Sequence, residues 1–276
     1  MPSDNFIRGA RFRFLTPSYD RLSRLVGLGE RFRSFEVRAI GPLGGRRVLD
    51  VGCGTGALLA ALRREAKPAR LVGVDPDPDM LAQAEPKLRA AGVAAELLRG
   101  SADALPFPDG SFDVVVSSLM FHHLDAATKR GALREWRRLL APGGALVLVD
   151  FGAPRSALLR AVFWPIGLFE HVADNLRGRI PALLEEAGFA CREVGRYGGV
   201  VAALAATPRA GTASGARPPR SPEPKTDSET TRCRQRGAKC EAFHLAPRPV
   251  ASTLRPSSKP QNPWRPRGEA WESYDD

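Results

Sequence analysis

The chain has little cysteine: Cys53, Cys191, Cys233 and Cys240 are the four among its 276 residues. Four are too few for a disulfide framework, and Cys53 and Cys191 fall in predicted core elements, where a thiol acts as a small apolar group. Cys233 and Cys240 are separated by six residues, with His244 nearby. Zinc sites usually pair their ligands more closely and need four. We therefore expect no metal.

Long apolar runs are missing as well. No segment approaches the roughly 20 apolar residues that cross a bilayer, and the opening MPSDNFIRGARFRF is unlike a secretory signal. A cytoplasmic location is therefore expected.

Basic residues outnumber acidic ones, giving a net charge of +11 and a pI of about 10.2. Because no segment interleaves basic and aromatic residues, we do not expect nucleic acid as a partner and attribute the charge to heavy arginine use.

The composition changes near Pro208. Before this residue apolar runs alternate with amphipathic stretches, whereas after it Pro, Ser, Arg and Gly dominate, as in GTASGARPPRSPEPKTDSETT. Such a segment buries too little apolar surface to offset its ordering entropy. We predict an N-terminal helical lid over 1–45, an α/β domain over 46–208 and a disordered, basic, Pro-rich tail over 209–276. The tail is either a regulatory segment or an extension without function.

Strand-like and helix-like patterns alternate through the middle of the chain, which is typical of a mainly parallel sheet with helices on both faces. A proline at position 86 predicts a kink or a later start of the second helix. Pro-Gly-Gly at 142–144 predicts a turn into the fifth strand. The predicted strands are 47–51, 71–75, 95–99, 112–117, 145–151 and an antiparallel pair at 191–197 and 200–206; the predicted helices are 57–65, 77–91, 128–140 and 180–187.

A glycine loop over 50–56 joins the first strand to the first helix of this pattern. Gly52, Gly54 and Gly56 permit a tight turn and the approach of a ligand to the backbone. The spacing is D-x-G-x-G-x-G, not the G-x-G-x-x-G that cradles a pyrophosphate. It therefore favours a ligand without phosphate, such as S-adenosylmethionine, over a nicotinamide dinucleotide.

Acidic residues follow the next two strands. Asp75 ends the second strand, where a carboxylate can accept hydrogen bonds from ribose hydroxyls. Its alternative is a helix N-cap, which Asp77 could also provide. Asp103 follows the third strand and can accept from an adenine amino group, or is a turn residue.

VLDVGCGTG, VGVDPDPDML, GSADALPFPDGSFDVVVSS and LREWRRLLAPGGALVLVDF follow one another at a spacing that resembles the class I S-adenosylmethionine-dependent methyltransferases of the small-molecule type 11 group. The resemblance covers about residues 19–208. It implies a Rossmann-like α/β fold, a seven-stranded sheet with a reversed final hairpin, and S-adenosyl-L-methionine as cofactor. Asp50 would orient the methionine end, Asp75 would bind ribose and Met80 would pack on adenine. The full predicted donor site is Asp50, Gly52, Cys53, Gly54, Gly56, Asp75, Pro76, Met80, Ala102, Asp103, Ala104 and Ser117.

Within that group, the ends of the domain are most similar to ubiquinone/menaquinone C-methyltransferases. TPSYDRLSRLVGLG resembles their opening helix, in which Tyr19 would cover the donor, and VDFGAP resembles the exit of their fifth strand. The stretch after the fourth strand departs: those enzymes carry Phe-Gly followed by Arg-Asn, and this chain has SLMFHHLD. The acceptor therefore stays open. A nucleic-acid base methyltransferase would show Asn/Asp-Pro-Pro-aromatic at this place.

Few side chains could act as a base toward the acceptor. His122 and His123 follow the fourth strand, Asp150 ends the fifth, and His171 lies in the insert behind it. Alternatively, one histidine packs under the loop, the other caps the helix that begins near Asp125, and Asp150 is a hydrogen-bonded rim residue.

The insert 157–169 (ALLRAVFWPIGLF) is strongly apolar. It could roof a pocket for a hydrophobic or amphiphilic small-molecule acceptor and touch a membrane peripherally, or simply belong to the core. We predict methyl transfer to such an acceptor, with a non-catalytic donor-binding protein or a quinone-precursor C-methyltransferase as alternatives. The oligomeric state is not predicted.

Overall fold

The computed structural model describes residues 27–165 and 170–209. These residues form seven strands and seven α-helices, with one 3₁₀ turn at Phe121–His123. The strands are β1 Arg47–Val51, β2 Arg70–Asp75, β3 Glu96–Arg99, β4 Phe112–Ser118, β5 Leu140–Phe151, β6 Phe189–Tyr197 and β7 Val201–Pro208. The helices are α1 Glu30–Ile40, α2 Ala57–Glu65, α3 Pro78–Ala90, α4 Ala126–Leu139, α5 Ala157–Phe163, α6 Glu170–Leu176 and α7 Ile180–Glu186.

The seven strands form one sheet in the order β3-β2-β1-β4-β5-β7-β6. β1 to β5 pair in parallel, and β7 runs antiparallel to both β5 and β6. The chain leaves β1 toward one edge of the sheet and β4 toward the other. Because crossovers between parallel strands are right-handed, the helices of the two halves cover opposite faces. The predicted fold, including the reversed final hairpin, is confirmed.

Central strands are buried on both faces, as their uninterrupted apolar sequences predict. Val48, Leu49 and Val51 of β1 and the valines of β4 are at most 1% exposed. On α4, Leu133, Trp136 and Leu139 are fully buried against the sheet, as the helical spacing predicted. The Trp136 indole N–H donates to the Ala102 carbonyl at 2.9 Å and so ties α4 to the loop after β3.

Two local predictions are corrected. Residues 142–144 do not form a turn before the fifth strand, because β5 begins at Leu140 and pairs with Phe112 before its register shifts to Ala145 opposite Val114. The Pro-Gly-Gly sequence is accommodated as this irregularity. The later start of α3 is also wrong: the Asp77 side chain caps its N-terminus by accepting from the Asp79 N–H at 2.9 Å, and the helix continues past Pro86.

The predicted tail from 210 onward, residues 1–26 with Tyr19, and Cys233, Cys240 and His244 lie outside the described residues. His171 lies within α6, but its side chain is not described. Among the described helices none has the length and apolar character to span a bilayer. Residues 27–165 and 170–209 also contain no group of three metal-ligand side chains.

Candidate active site

A cleft opens at the carboxyl ends of β1, β2 and β4, where the order of the strands in the sheet reverses. Parallel sheets bind ligands at this point because the crossovers leave in opposite directions and expose the strand ends. The cleft is open to solvent. Its lining comprises Leu28, Arg33, Asp50, Gly52, Cys53, Gly54, Thr55, Ala57, Leu58, Asp75, Pro76, Asp77, Met80, Ser118, Leu119, Met120 and His123.

The glycine loop forms the floor of the cleft. The N–H groups of Gly52 and Cys53 both donate to the Val74 carbonyl, at 2.7 and 3.0 Å, which fixes the turn against β2. Gly52 has φ 80°, and a Cβ there would overlap the Met120 side chain. Gly54 has φ 53° and no neighbour where a Cβ would stand, so its Cα faces open space. This loop therefore presents bare backbone to the cleft.

Gly56 was predicted as part of the donor site, but it does not line the cleft. It takes a left-handed conformation at the start of α2, and a Cβ would stand 3.2 Å from the Leu88 side chain and 3.3 Å from that of Ala84. Its lack of a side chain lets α2 begin close against α3.

Asp50 is a buried carboxylate at the base of the cleft. Its residue is 1% exposed, and neither carboxylate oxygen has a hydrogen-bond partner among the described residues. The pKa of Asp50 is raised to about 8, chiefly by burial and in addition by the carboxylates of Glu36 and Asp75, while Arg33 opposes the rise. A buried acceptor of this kind is costly unless a ligand satisfies it.

Asp75 is held by the backbone of its own surroundings. Its carboxylate accepts from the Gly54 N–H and from the Asp77 N–H, both at 2.9 Å. Burial raises its pKa, and these two hydrogen bonds act against that shift. Asp77 takes the N-cap position, so Asp75 lies in the cleft with an oriented carboxylate and not at a helix cap. Pro76 and Met80 line the cleft beside it.

Residues after β3 lie apart from this lining. Asp103 and Ala104 are exposed and Ala102 is buried beneath Trp136. The Asp103 carboxylate accepts from the Ser101 hydroxyl. Contact of these three residues with adenine stays a prediction.

Ser117 was predicted as part of the donor site, and the structure places its side chain away from the cleft. It is fully buried, and its hydroxyl donates to the Val51 carbonyl at 2.9 Å, which fastens β4 to β1. Its neighbour Ser118 lines the cleft instead. Since successive side chains of a strand point to opposite faces, a shift of one residue exchanges the two environments.

The histidines take different positions. His123 is exposed and lines the cleft, whereas His122 is 8% exposed behind it, with ring centroids 4.0 Å apart. His122 Nδ1 lies 2.7 Å from Asp150 Oδ1, and the His122 backbone N–H donates to Asp150 Oδ2 at 3.1 Å. Asp125, not a histidine, caps α4.

Asp150 is fully buried and does not line the cleft. In this position its carboxylate has no direct contact with the space for an acceptor. Its carboxylate also accepts from the Phe151 N–H at 2.6 Å. Burial raises its pKa, but His122 and these hydrogen bonds outweigh burial and leave the pKa of Asp150 below its usual value. Asp150 therefore holds His122 in place.

Several residues of the site were not found from the sequence, among them Arg33, its partner Glu36 and Leu119. Arg33 lines the cleft from α1 and pairs with Glu36, one turn later, at 2.7 Å between Nη1 and Oε2. Leu119 lines the cleft with φ 49°, a left-handed conformation that few non-glycine residues adopt. The i,i+3 spacing of Arg33 and Glu36 on a helix could have indicated their ion pair. Nothing in the sequence indicated Leu119.

Comparison with known proteins matches this geometry. A family model described as a methyltransferase domain matches residues 48–144. The demethylmenaquinone methyltransferase of Thermus thermophilus is 39% identical over 154 residues, which are 55% of this chain and 69% of that protein. The chain belongs to the class I S-adenosylmethionine-dependent methyltransferases.

Further relatives of this methyltransferase agree. The demethylmenaquinone methyltransferase of Deinococcus radiodurans is 39% identical over 170 residues, covering 60% of this chain and 68% of that one. The crystal structure of the YcgJ protein from Bacillus subtilis has a TM-score of 0.52 and 26% identity, and the match covers 60% of this chain and 71% of that chain.

The cleft fits S-adenosylmethionine, the donor of this family. Asp50 has two buried oxygens without partners, which would accept from the ammonium group of the methionine end. The bare backbone at Gly54 leaves room for the chain of the donor, and the Asp75 carboxylate, fixed by two N–H groups, has acceptor capacity left for ribose hydroxyls.

Proposed function

We propose that this methyltransferase methylates a small hydrophobic or amphiphilic acceptor bound at the end of the cleft formed by Leu119, Met120 and His123, with His123 as the base. The observation that carries the proposal is that, of the candidate bases whose side chains are described, His122, His123 and Asp150, only His123 lines the cleft, with its ring against the imidazole that Asp150 holds. Geometry decides first which group can reach a reacting proton.

The bound donor would supply a methyl group on a sulfonium, which is already an activated electrophile. The chain must align the acceptor with that methyl group and exclude water, and positioning of this kind can supply about 7–11 kcal/mol. When the acceptor attacks, the methyl–sulfur bond breaks and the sulfur keeps the electron pair. His123 then takes the proton that the acceptor loses, and His122 with Asp150 keeps the His123 ring in position.

Apolar contacts around this end support a hydrophobic acceptor. Phe151 packs on the His122 ring with centroids 4.9 Å apart, and Phe163 of α5 packs on Phe151 at 6.2 Å. The two relatives named demethylmenaquinone methyltransferase support the narrower hypothesis of a quinone precursor. A hydroquinone has a phenolic proton that His123 would take as the ring carbon attacks the methyl group. Loss of the hydrogen of that carbon as a proton would then restore the aromatic ring, and the ring oxygen would regain a proton from His123.

The exposed side of α5 supports delivery of the acceptor from a membrane surface. Leu158, Val162 and Trp164 are 74%, 58% and 68% exposed, and the exposed Arg160 lies among them. Large apolar groups beside cations are typical of helices that lie on anionic lipid. We keep a cytoplasmic location with peripheral contact, through the described part of 157–169, as part of the proposal.

Donor consumption by the purified chain tests the proposal against a panel of reduced quinone precursors, phenols without a lipid tail, and phospholipids. We expect turnover with a lipophilic phenol or hydroquinone, increased by vesicles that contain anionic lipid. Trp164→Ala should lower vesicle binding and turnover of the lipophilic acceptor, and leave a water-soluble phenol unaffected. If the chain binds the donor but turns over no member of the panel, the non-catalytic alternative is preferred; an unchanged Trp164→Ala variant refutes membrane delivery.

A further inference from the structure

Two opposite charges meet at the methionine end of the cleft. Arg33 is the one lysine or arginine among the lining residues, and it lies on α1, within the segment predicted only as a lid. Its charge acts on the buried Asp50 carboxylate closely enough to oppose the rise in the Asp50 pKa. A cationic and an acidic group that line the same cleft are complementary to a zwitterion, and the amino-acid end of the donor carries one carboxylate and one ammonium.

Glu36 fixes the position of Arg33. It is fully buried, accepts from the Ser118 hydroxyl at the end of β4, and pairs with Arg33 Nη1 at 2.7 Å. The Arg33 guanidinium also lies 5.0 Å from the Phe32 ring centroid. The guanidinium has five N–H donors, and a bidentate carboxylate needs two. An arginine with this one ion-pair contact is kept at the cleft and still has donors for a second anion.

We infer that α1 is a binding element for the donor: Arg33 binds its carboxylate, Asp50 accepts from its ammonium, and Glu36 is the positioning residue that aims Arg33. The inference rests on S-adenosylmethionine being the donor and is independent of the proposed base and acceptor. It predicts that the site selects the whole amino acid and not merely the adenosine, through charges from two elements that are distant in sequence.

A competing explanation gives Arg33 a purely structural function. Glu36 and Asp50 are two buried carboxyl groups, and a nearby cation lowers the cost of ionising either. In that case the loss of Arg33 would disturb the cleft as a whole and weaken every ligand alike. The two explanations therefore differ in which ligands lose affinity.

Calorimetry with three ligands separates them: S-adenosylhomocysteine has both charges of the amino acid, its decarboxylated analogue has only the ammonium, and 5′-methylthioadenosine has neither. Arg33→Met should weaken S-adenosylhomocysteine by about 10- to 100-fold, the range for hydrogen bonds to a charged group. It should change the other two ligands by less than about threefold, because neither has a carboxylate. Arg38→Met, an exposed arginine on the same helix, is the matched control and should change none of them.

Two further variants keep the test decisive if Arg33→Met does not fold. Arg33→Lys retains a cation and should lose part of the affinity for S-adenosylhomocysteine alone. Glu36→Gln keeps the size of the side chain and should also lower only the affinity for the ligand with a carboxylate. Equal losses for all three ligands, or no loss in either variant, would overturn the inference. Failure of methyl transfer with the three-ligand pattern intact would refute the proposed function and leave this inference standing.

Discussion

The donor end and the acceptor end of the cleft are built by different means. At the donor end, backbone groups make the hydrogen bonds that shape the site: the turn at Gly52 and Gly54 is bonded to β2, and the Asp75 carboxylate accepts from two N–H groups. At the acceptor end, side chains contact side chains, as in the tilted contact of the two histidine rings and the His122–Asp150 hydrogen bond. Backbone geometry follows from glycine spacing, whereas side-chain contacts depend on which strands pair.

The largest expected effect concerns the base at the acceptor end. His123→Ala should lower kcat by about 10²- to 10⁴-fold, the range for a lost general base, with donor affinity unchanged. His122→Ala should cost less and Asp150→Asn less still, since both act through His123. Single-turnover kinetics with donor binding measured separately would check this. A larger loss in His122→Ala than in His123→Ala would make His122 the base.

At the donor end, Asp75→Ala should weaken donor binding by about 1.5–3 kcal/mol, because hydrogen bonds to a charged group are lost. Asp103→Ala sharpens the comparison, since this exposed carboxylate lies outside the cleft lining. If the donor affinity of Asp103→Ala falls as much as that of Asp75→Ala, Asp103 binds adenine as the sequence predicted. Titration calorimetry of both variants decides between the two outcomes.

The Asp50 carboxyl makes the donor end sensitive to pH. Its pKa of about 8 in the folded chain lies above the ordinary value of 3.8, so the folded state binds a proton that the unfolded state has lost. The free energy of unfolding of the donor-free protein should therefore fall as pH rises from about 5 to 8, by up to about 1.4 kcal/mol per pH unit from this group.

Asp50→Asn should remove that contribution, and the difference from wild type should be measured by denaturant unfolding across this pH range. Glu36, with a pKa of about 7 caused by burial, contributes in the same direction. A wild type and an Asp50→Asn variant with parallel pH profiles would contradict the burial of an ionisable Asp50.

The smallest expected effect separates packing from binding within the glycine loop. Gly56→Ala should cost about 1–2 kcal/mol of stability, because φ is 75° and the new Cβ presses on α3, while donor affinity should change by less than about twofold. Gly54→Ala also carries the backbone cost of its φ of 53°, but its Cβ meets no neighbour, so it should lose less stability than Gly56→Ala and more donor affinity. Thermal unfolding and calorimetry on both variants check this, and reversed results would return Gly56 to the donor site.

Much of the fold followed from local patterns. Six of the seven strands lie within two residues of their predicted bounds at both ends. The exception is β5, which begins five residues early, because Leu140 pairs with Phe112 across an irregularity. A register shift of this kind arises between two strands, and the sequence of one strand carries no record of it. For α3, the proline at 86 predicted a later start, but the Asp77 side chain caps the helix and Pro86 lies inside it.

The errors in the site have one origin. Val114, Val115 and Val116 of β4 are buried on both faces of the sheet, so this run has no apolar–polar alternation that would indicate whether Ser117 or Ser118 faces the cleft. Likewise, Arg33 and Glu36 lie 82 residues or more before the hydroxyl that Glu36 contacts. Composition and periodicity describe neighbours along the chain, and these contacts join residues that are neighbours only after folding.

The sequence by itself determined the donor: the spacing of Asp50, Gly52 and Gly54 and the position of Asp75 at the end of β2 specify a backbone-lined pocket, because glycine conformations and strand ends are local properties. Only the tertiary structure decided which histidine reaches the cleft, that Asp150 is buried behind the other, and that α1 brings Arg33 to Asp50. Those decisions depend on strand order and helix packing, which bring distant side chains within hydrogen-bond distance.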